Sequence, residues 1–293
     1  PEVADQTTTV CRNQPIEIYL GNDTNGPSAL RYNITNINSN GLTASAGSPE
    51  VKEGVNDDEI FDDAWSNPTS APVDVVYSVE PVGQNCIGNS FTVTVTVNPE
   101  ISIAAQVVEV CSGEEVGVNF SASSSIAAAT YNITALNLNG LTVLSGNPSL
   151  SSGLLADDLS DDSFRNTTNA PVDVVYTVLP VSTEGCEEEE FTVTVIVNPA
   201  PEVLDQTVLN ISSRNPVNVS FNSSTSVAAD RYNITALNLN GLEVFSGNPQ
   251  VQNGLPATSL SDDSFINKTS WDVDVIDTVV PISAAGCEGG TFT

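Results

Sequence analysis

The stretch Asn169–Val203, NAPVDVVYTVLPVSTEGCEEEEFTVTVIVNPAPEV, decides the reading of this chain. It holds two runs of alternating apolar and polar residues, a turn carrying Cys186, and a Pro-rich step into further sequence. Nearly the same text occurs at Ser70–Ile101, SAPVDVVYSVEPVGQNCIGNSFTVTVTVNPEI, and an eroded form closes the chain at Ser270–Thr293. Other anchors recur at the same step of about 100 residues: YNIT at Tyr32, Tyr131 and Tyr232, Gly-Leu at Gly41, Gly140 and Gly241, and a turn closing at Pro49, Pro148 and Pro249. The chain is a tandem triplicate, and that fact outranks any local motif. The repeats span 1–98, 99–198 and 199–293.

Working outward, the alternation predicts secondary structure directly. In the first copy Val73, Val75, Tyr77 and Val79 share one face of a strand, as do Phe91, Val93, Val95 and Val97, while Thr92, Thr94 and Thr96 face the other way. Period-two patterning of this kind places one face on a core and the other in water. Earlier in the repeat, strands are expected at Val3–Val10, over PIEIYL (Pro15–Leu20), and through the YNIT stretch. Val- and Thr-rich runs, turns rich in Gly, Asn and Pro, and no long helical period argue for an all-β fold. Each repeat is long enough to bury its own core, so the expected fold is three immunoglobulin-like β-sandwiches in tandem. The linkers VNPEIS and VNPAPEV are short and Pro-stiffened, predicting a head-to-tail rod.

Composition narrows the function. The chain has 7 Lys plus Arg against 37 Asp plus Glu, a formal charge of −30, and no His. Such a surface repels phosphate backbones and anionic lipid, which excludes nucleic-acid binding. No apolar run is long enough to span a membrane as a helix. The chain opens on PEVADQ, text that follows a repeat end at Pro201 as PEVLDQ, and stops at Thr293, two residues into a strand spelled out in the earlier copies. It is expected to be an interior slice of a longer protein, with neighbouring repeats of that chain as its first partners.

The cysteines are placed by the repeat. Cys11 and Cys86 are 75 residues apart, as are Cys111 and Cys186; the third copy has Ile211 in place of the first cysteine and keeps Cys287. Without His or a CxxC pair this is a disulfide framework for an oxidising, extracellular compartment. The simplest pairing closes each repeat on itself, Cys11–Cys86 and Cys111–Cys186. The rival pairing staples neighbours, Cys11–Cys186 and Cys111–Cys287, and leaves Cys86 for a preceding module. It follows if the first strand crosses the whole sandwich, because its cysteine then lies at the far end of the domain.

Clustered carboxylates form the candidate metal set: Asp57, Asp58, Asp62 and Asp63 in the first copy, Asp157, Asp158, Asp161 and Asp162 in the second, Asp262 and Asp263 in the third. Calcium, which takes six to eight oxygens, is the one cofactor such loops admit; the plainer reading is a solvated loop whose Asp and Ser side chains cap turns. Paired carboxylates also serve glycosidases, but three tandem active sites on a repeating domain with no aromatic cleft argue against an enzyme. Sequons at Asn33, Asn132, Asn166, Asn233 and Asn267 are explained by an Asn- and Thr-rich composition. In the third copy Asp277 stands where Tyr77 and Tyr176 face the core, and a carboxylate there is costly unless paired, so local reorganisation of that strand is expected. Trp65 aligns with Phe164 and Phe265 as a core anchor.

The text VDVVYTVxPVSxxGCxxxxFTVTVxVNPxPEVxDQTVxVC resembles the PKD-like, immunoglobulin-type repeats of giant secreted proteins of gliding bacteria, the SprB-type gliding adhesins. The resemblance covers all three copies and is most specific in the C-terminal half of each. It implies export by type IX secretion, residence at the bacterial cell surface or in a secreted filament, and a stalk role in adhesion and gliding motility. Other filament subunits and surface glycans are the further partners it implies, and it carries over no catalytic residues. The alternatives are an array of calcium- or glycan-binding modules, and spacer repeats beside a secreted enzyme.

Overall fold

The computed structural model describes residues 1–21, 24–25, 27–120 and 126–293. Every regular element in it longer than a turn is a strand, and no helix is long and apolar enough to cross a membrane. The expected tandem β-sandwich architecture is what the chain adopts, and the first two copies build the same sheet. In the first, the order is Gln6–Val10, Phe91–Val97, Val73–Val82, Arg31–Asn38, Lys52–Val55; in the second it is Gln106–Cys111, Phe191–Asn198, Val172–Val181, Thr130–Asn137, Ser151–Leu154. A short ladder lies opposite each, Thr43–Ala46 with Ala64–Ser66 and Thr142–Ser145 with Ser163–Arg165.

The two long strands behave as their pattern requires. Val75, Tyr77, Val79, Phe91, Val93, Val95 and Val97 are all buried in one cluster with Trp65, Ile34 and Tyr32, and Thr92, Thr94 and Thr96 alternate outward. Burying a Val side chain of this kind stabilises by roughly 1.5–3 kcal/mol. The first strand runs parallel to the last, pairing Gln6 with Val93 and Val10 with Val97; in the second copy Cys111 pairs with Asn198.

The PIEIYL segment corrects the sequence expectation. Only Pro15 bridges, to Ala64, and no strand forms over Ile16–Tyr19. Glu17 takes a left-handed conformation (φ 56°), as do its counterparts Gly117 and Asn218, which breaks the ladder. The segment instead donates backbone bonds to the acidic loop, Ile16 N–H to Asp63 O, Glu17 N–H to Phe61 O and Leu20 N–H to Asp57 O, while Ile16 and Leu20 are buried.

In the third copy the sheet shrinks to Gln252–Leu255, Ala229–Asn238 and Ile276–Ser283. Its last strand is represented by Phe292, which exchanges two backbone bonds with Val279. Lacking that partner, Val273–Val275 forms no ladder, and neither does Val203–Asn210. Register is kept nonetheless, since Asp277 pairs with Leu237 as Tyr77 pairs with Ile37.

The chain divides into two compact units. The first holds Pro1–Ile103, a short stretch up to Ala129, and the hairpin Pro180–Glu189 of the second copy; the second unit holds the remainder, including the third copy.

Candidate functional site

Two constructions recur in the repeats, and the first lies under the acidic loop. Asp57, Asp58, Asp62, Asp157, Asp158, Asp161 and Asp262 are exposed, whereas Asp63, Asp162 and Asp263 are buried. Between them Ile60 and Leu159 plug the core. Asp63 Oδ2 accepts from the Tyr77 hydroxyl at 2.9 Å, Asp63 Oδ1 accepts from the Ser48 backbone N–H at 3.2 Å, and Trp65 Nε1–H donates to the Tyr77 oxygen at 3.0 Å. The Tyr176 hydroxyl donates to Asp162 Oδ2 at 2.6 Å, and the Asn248 N–H to Asp263 Oδ1 at 3.0 Å. Burial pushes the Asp63 carboxyl up to about 6, with the Tyr77 and Ser48 bonds opposing it. The last carboxylate of each loop is thus a buried hydrogen-bond acceptor, and in the first two copies it ties the loop to the tyrosine of the core strand.

Each buried Asp demands a particular backbone beside it. Gly47, Gly146 and Gly247 all have positive φ, and a Cβ on any of them would overlap the Oδ1 of Asp63, Asp162 or Asp263 respectively. That is the physical content of the recurring Gly-(Ser/Asn)-Pro turn. Among the described residues no three of His, Cys, Asp or Glu come together as a group able to hold a metal ion. The calcium candidates therefore separate into a solvated set and a set engaged by the protein itself.

The second construction is the disulfide framework. Cys11 is bonded to Cys186 and Cys111 to Cys287, with Cα separations of 5.6 and 5.4 Å, and Cys86 is an exposed free thiol. The self-closing pairs Cys11–Cys86 and Cys111–Cys186 are not formed. The reason is the parallel first strand, which carries Cys11 to the end of Phe91–Val97 where the chain leaves the repeat. Cys86 sits on the hairpin before Phe91, at the other end of a seven-residue strand. Seven strand residues span roughly 23 Å, far beyond disulfide reach. The bonded hairpin cysteines, Cys186 and Cys287, are buried.

Around the first staple the linker is packed. Ile101 and Ile103 are buried, Asn98 donates its backbone N–H to Val10 O and its side-chain N–H to Cys186 Sγ at 3.8 Å, and Arg12 pairs with Glu100. Burial raises the Glu188 carboxyl here; Arg12 opposes the effect and Glu100 adds to it. Around the second staple, Ser226 Oγ–H donates to Ala200 O at 2.7 Å, and Val203 is buried.

The PKD-like domain family model matches residues 8–101 and again 108–201, which is more than half of the chain. The chain belongs to the PKD-like domain family. No curated protein matches it. Among solved structures it is similar to the chicken CNTN1 FN1-FN3 domains (9% identity, 90% of this chain and 85% of that one, TM-score 0.31). It is similar also to human CDH23 EC21-23 (13% identity, 99% of each chain, TM-score 0.30) and to Drosophila N-cadherin EC1-4 (11% identity, 99% of this chain and 74% of that one, TM-score 0.26). Likenesses at this level decide nothing further about this chain. With its disulfides, the array of PKD-like repeats is an extracellular type of structural repeat region.

Several polar residues of the PKD-like repeat have structural duties that the sequence reading passed over. Asn33, Asn132 and Asn233 of the YNIT motif each accept the backbone N–H of a glycine, Gly54, Gly153 or Gly254, at 2.9 Å. Asn67 and Asn166 are buried and donate to the carbonyls of Val97 and Val197, closing the end of the last strand. The signal for both was present, an Asn recurring at a fixed repeat position, but composition disguised it.

Proposed function

We propose that this chain is a stalk segment of an extracellular cell-surface adhesin or filament, built to hold its length under tension between an anchored end and a distal contact. The observation that supports this most is the overlap of the two disulfides, which enclose Cys11–Cys186 and Cys111–Cys287 and share the stretch between Cys111 and Cys186. Two overlapping covalent loops prevent a pulled chain from paying out its full length even when every strand has melted. The shortest covalent path between the ends, through both bridges, holds roughly 90 residues and extends to roughly 320 Å, against roughly 1000 Å for the reduced chain. The −30 charge keeps neighbouring stalks apart and off an anionic envelope. By its likeness to the SprB-type repeats, the setting is the surface of a gliding bacterium served by type IX secretion. No catalytic step is assigned to the chain.

Single-molecule stretching of the intact chain tests this. The expected result is a total contour length near one third of that seen after reduction. Equal lengths with and without reductant, with the disulfides verified, would remove the basis for a tension-holding stalk.

A further inference from the structure

Cys86 stands on the first of three hairpins, and the hairpin cysteines of the other two are both disulfide-bonded. The three hairpins close on equivalent bridges, Val82 with Ile87, Val181 with Glu187 and Ile282 with Glu288, the first with one residue fewer in its turn. In each, the residue after the first bridge position donates its N–H to the cysteine carbonyl at 2.9 Å, Gly83 to Cys86, Ser182 to Cys186 and Ser283 to Cys287. In the second and third hairpins the cysteine is bonded to the first-strand cysteine of the repeat before it and is buried. In the first hairpin it is exposed and free, beside Ile87, which is 61% exposed where the other hairpins carry Glu.

A second observation concerns the path of the chain into this hairpin. A Cβ on Gly289 would overlap the carbonyl of Pro201, and a Cβ on Gly88 would overlap the carbonyl of Pro1 in the same way. Pro201 lies three residues after Asn198, which pairs with Cys111 at the end of the preceding repeat. Pro1 thus occupies, against the first hairpin, the place that Pro201 occupies at a stapled junction. A repeat joined ahead of Pro1 on the same linker would bring its own first-strand cysteine to Cys86.

We propose that Cys86 and its hairpin are the receiving half of a further staple, whose partner is the first-strand cysteine of another PKD-like repeat joined ahead of Pro1. The inference rests on the stapled-stalk reading. Ile211 replaces the donor cysteine in the third copy, which therefore offers no such staple of its own. The bond forms by exchange with a low-molecular-weight disulfide such as oxidised glutathione. The Cys86 thiolate attacks one sulfur and releases one glutathione thiol; the partner cysteine then attacks the Cys86 sulfur and releases the second. Two protein thiols are oxidised to one disulfide and one glutathione disulfide is reduced to two thiols.

The test is a fusion of residues 99–200 ahead of Pro1 of the full chain, refolded in a glutathione buffer and mapped by non-reducing mass spectrometry after alkylation. The expected product links Cys86 to the added copy of Cys111, leaves the added copy of Cys186 as the alkylated thiol, and retains Cys11–Cys186 and Cys111–Cys287. A matched fusion whose added repeat carries Cys111→Ile should leave Cys86 alkylated. Resident staples present with Cys86 still alkylated in the first fusion would overturn this inference alone. Loss of the resident staples would overturn the stalk reading beneath it.

Discussion

The Tyr77 hydroxyl donates to Asp63 Oδ2 while its oxygen accepts from Trp65 Nε1–H, so three side chains from three strands or loops close one buried chain of hydrogen bonds. Asp63 is 1% exposed and Tyr77 fully buried. Tyr77→Phe removes the hydroxyl and leaves a carboxylate oxygen and an indole N–H without partners in the core. The expected loss is about 3 kcal/mol from the first repeat, read as a lowered denaturation midpoint by Trp65 fluorescence. A change below about 0.5 kcal/mol would mean that the acidic loop is held by its backbone bonds alone.

Gly47 and Gly54 both have positive φ, but only Gly47 has Asp63 in the space a Cβ would take; around Gly54 that space is open. Gly54→Ala is expected to cost about 1–2 kcal/mol, the left-handed penalty alone. Gly47→Ala adds a collision with a buried carboxylate and is expected to cost at least about 2 kcal/mol more. Equal melting shifts for the two variants would refute the close-approach argument.

Asp277 replaces the tyrosine in the third copy and sets a carboxyl against the buried Asp263. Burial, with the charge of Asp263 adding to it, pushes Asp277 up to about 6, and Asp263 is itself raised by burial, with Asp262 adding. The folded state then binds more protons than the unfolded chain, whose aspartates titrate near 4. Stability of this repeat is therefore greatest below about pH 4 as far as these groups act, and it is lost as pH rises from about 4 to 6. Asp277→Tyr should restore the tyrosine–aspartate bond, raise protection of Ala229–Asn238 against hydrogen exchange at pH 7, and flatten its dependence between pH 4 and 6. An unchanged pH profile would show that the two carboxyls do not set it.

The Cys11–Cys186 bond closes a separation of 175 residues. In the chain-entropy model, opening a loop of that size costs about 5 kcal/mol. Cys11→Ser is expected to lower stability by an amount of that order and to expose the hairpin Pro180–Glu189 to proteases at Thr183–Gly185. Limited digestion followed by mass spectrometry reads both. A hairpin that stays resistant in the variant would place the holding force in the Ile101 and Ile103 contacts instead.

The repeat, the strands and their inward residues were legible in the sequence because they are local: a pleated strand alternates faces every residue, so Val75, Tyr77, Val93 and Val95 declare their side by spacing alone. The PIEIYL segment misled for an equally local reason, since Glu17 gives no sign in its identity that it will take a left-handed conformation. Of the ten candidate calcium ligands, the roles of Asp63, Asp162 and Asp263 were hidden. Nothing nearby in sequence says that Tyr77, 14 positions on, will aim its hydroxyl at Asp63.

By itself the sequence determined that this is a triplicated β-sandwich with cysteines at repeating positions, because length, period and composition are properties of the chain alone. Only the tertiary structure decided which cysteines meet. That outcome depends on the first strand lying parallel to the last, which puts Cys11 at the exit of its own repeat, a strand's length from Cys86 and within bonding distance of Cys186.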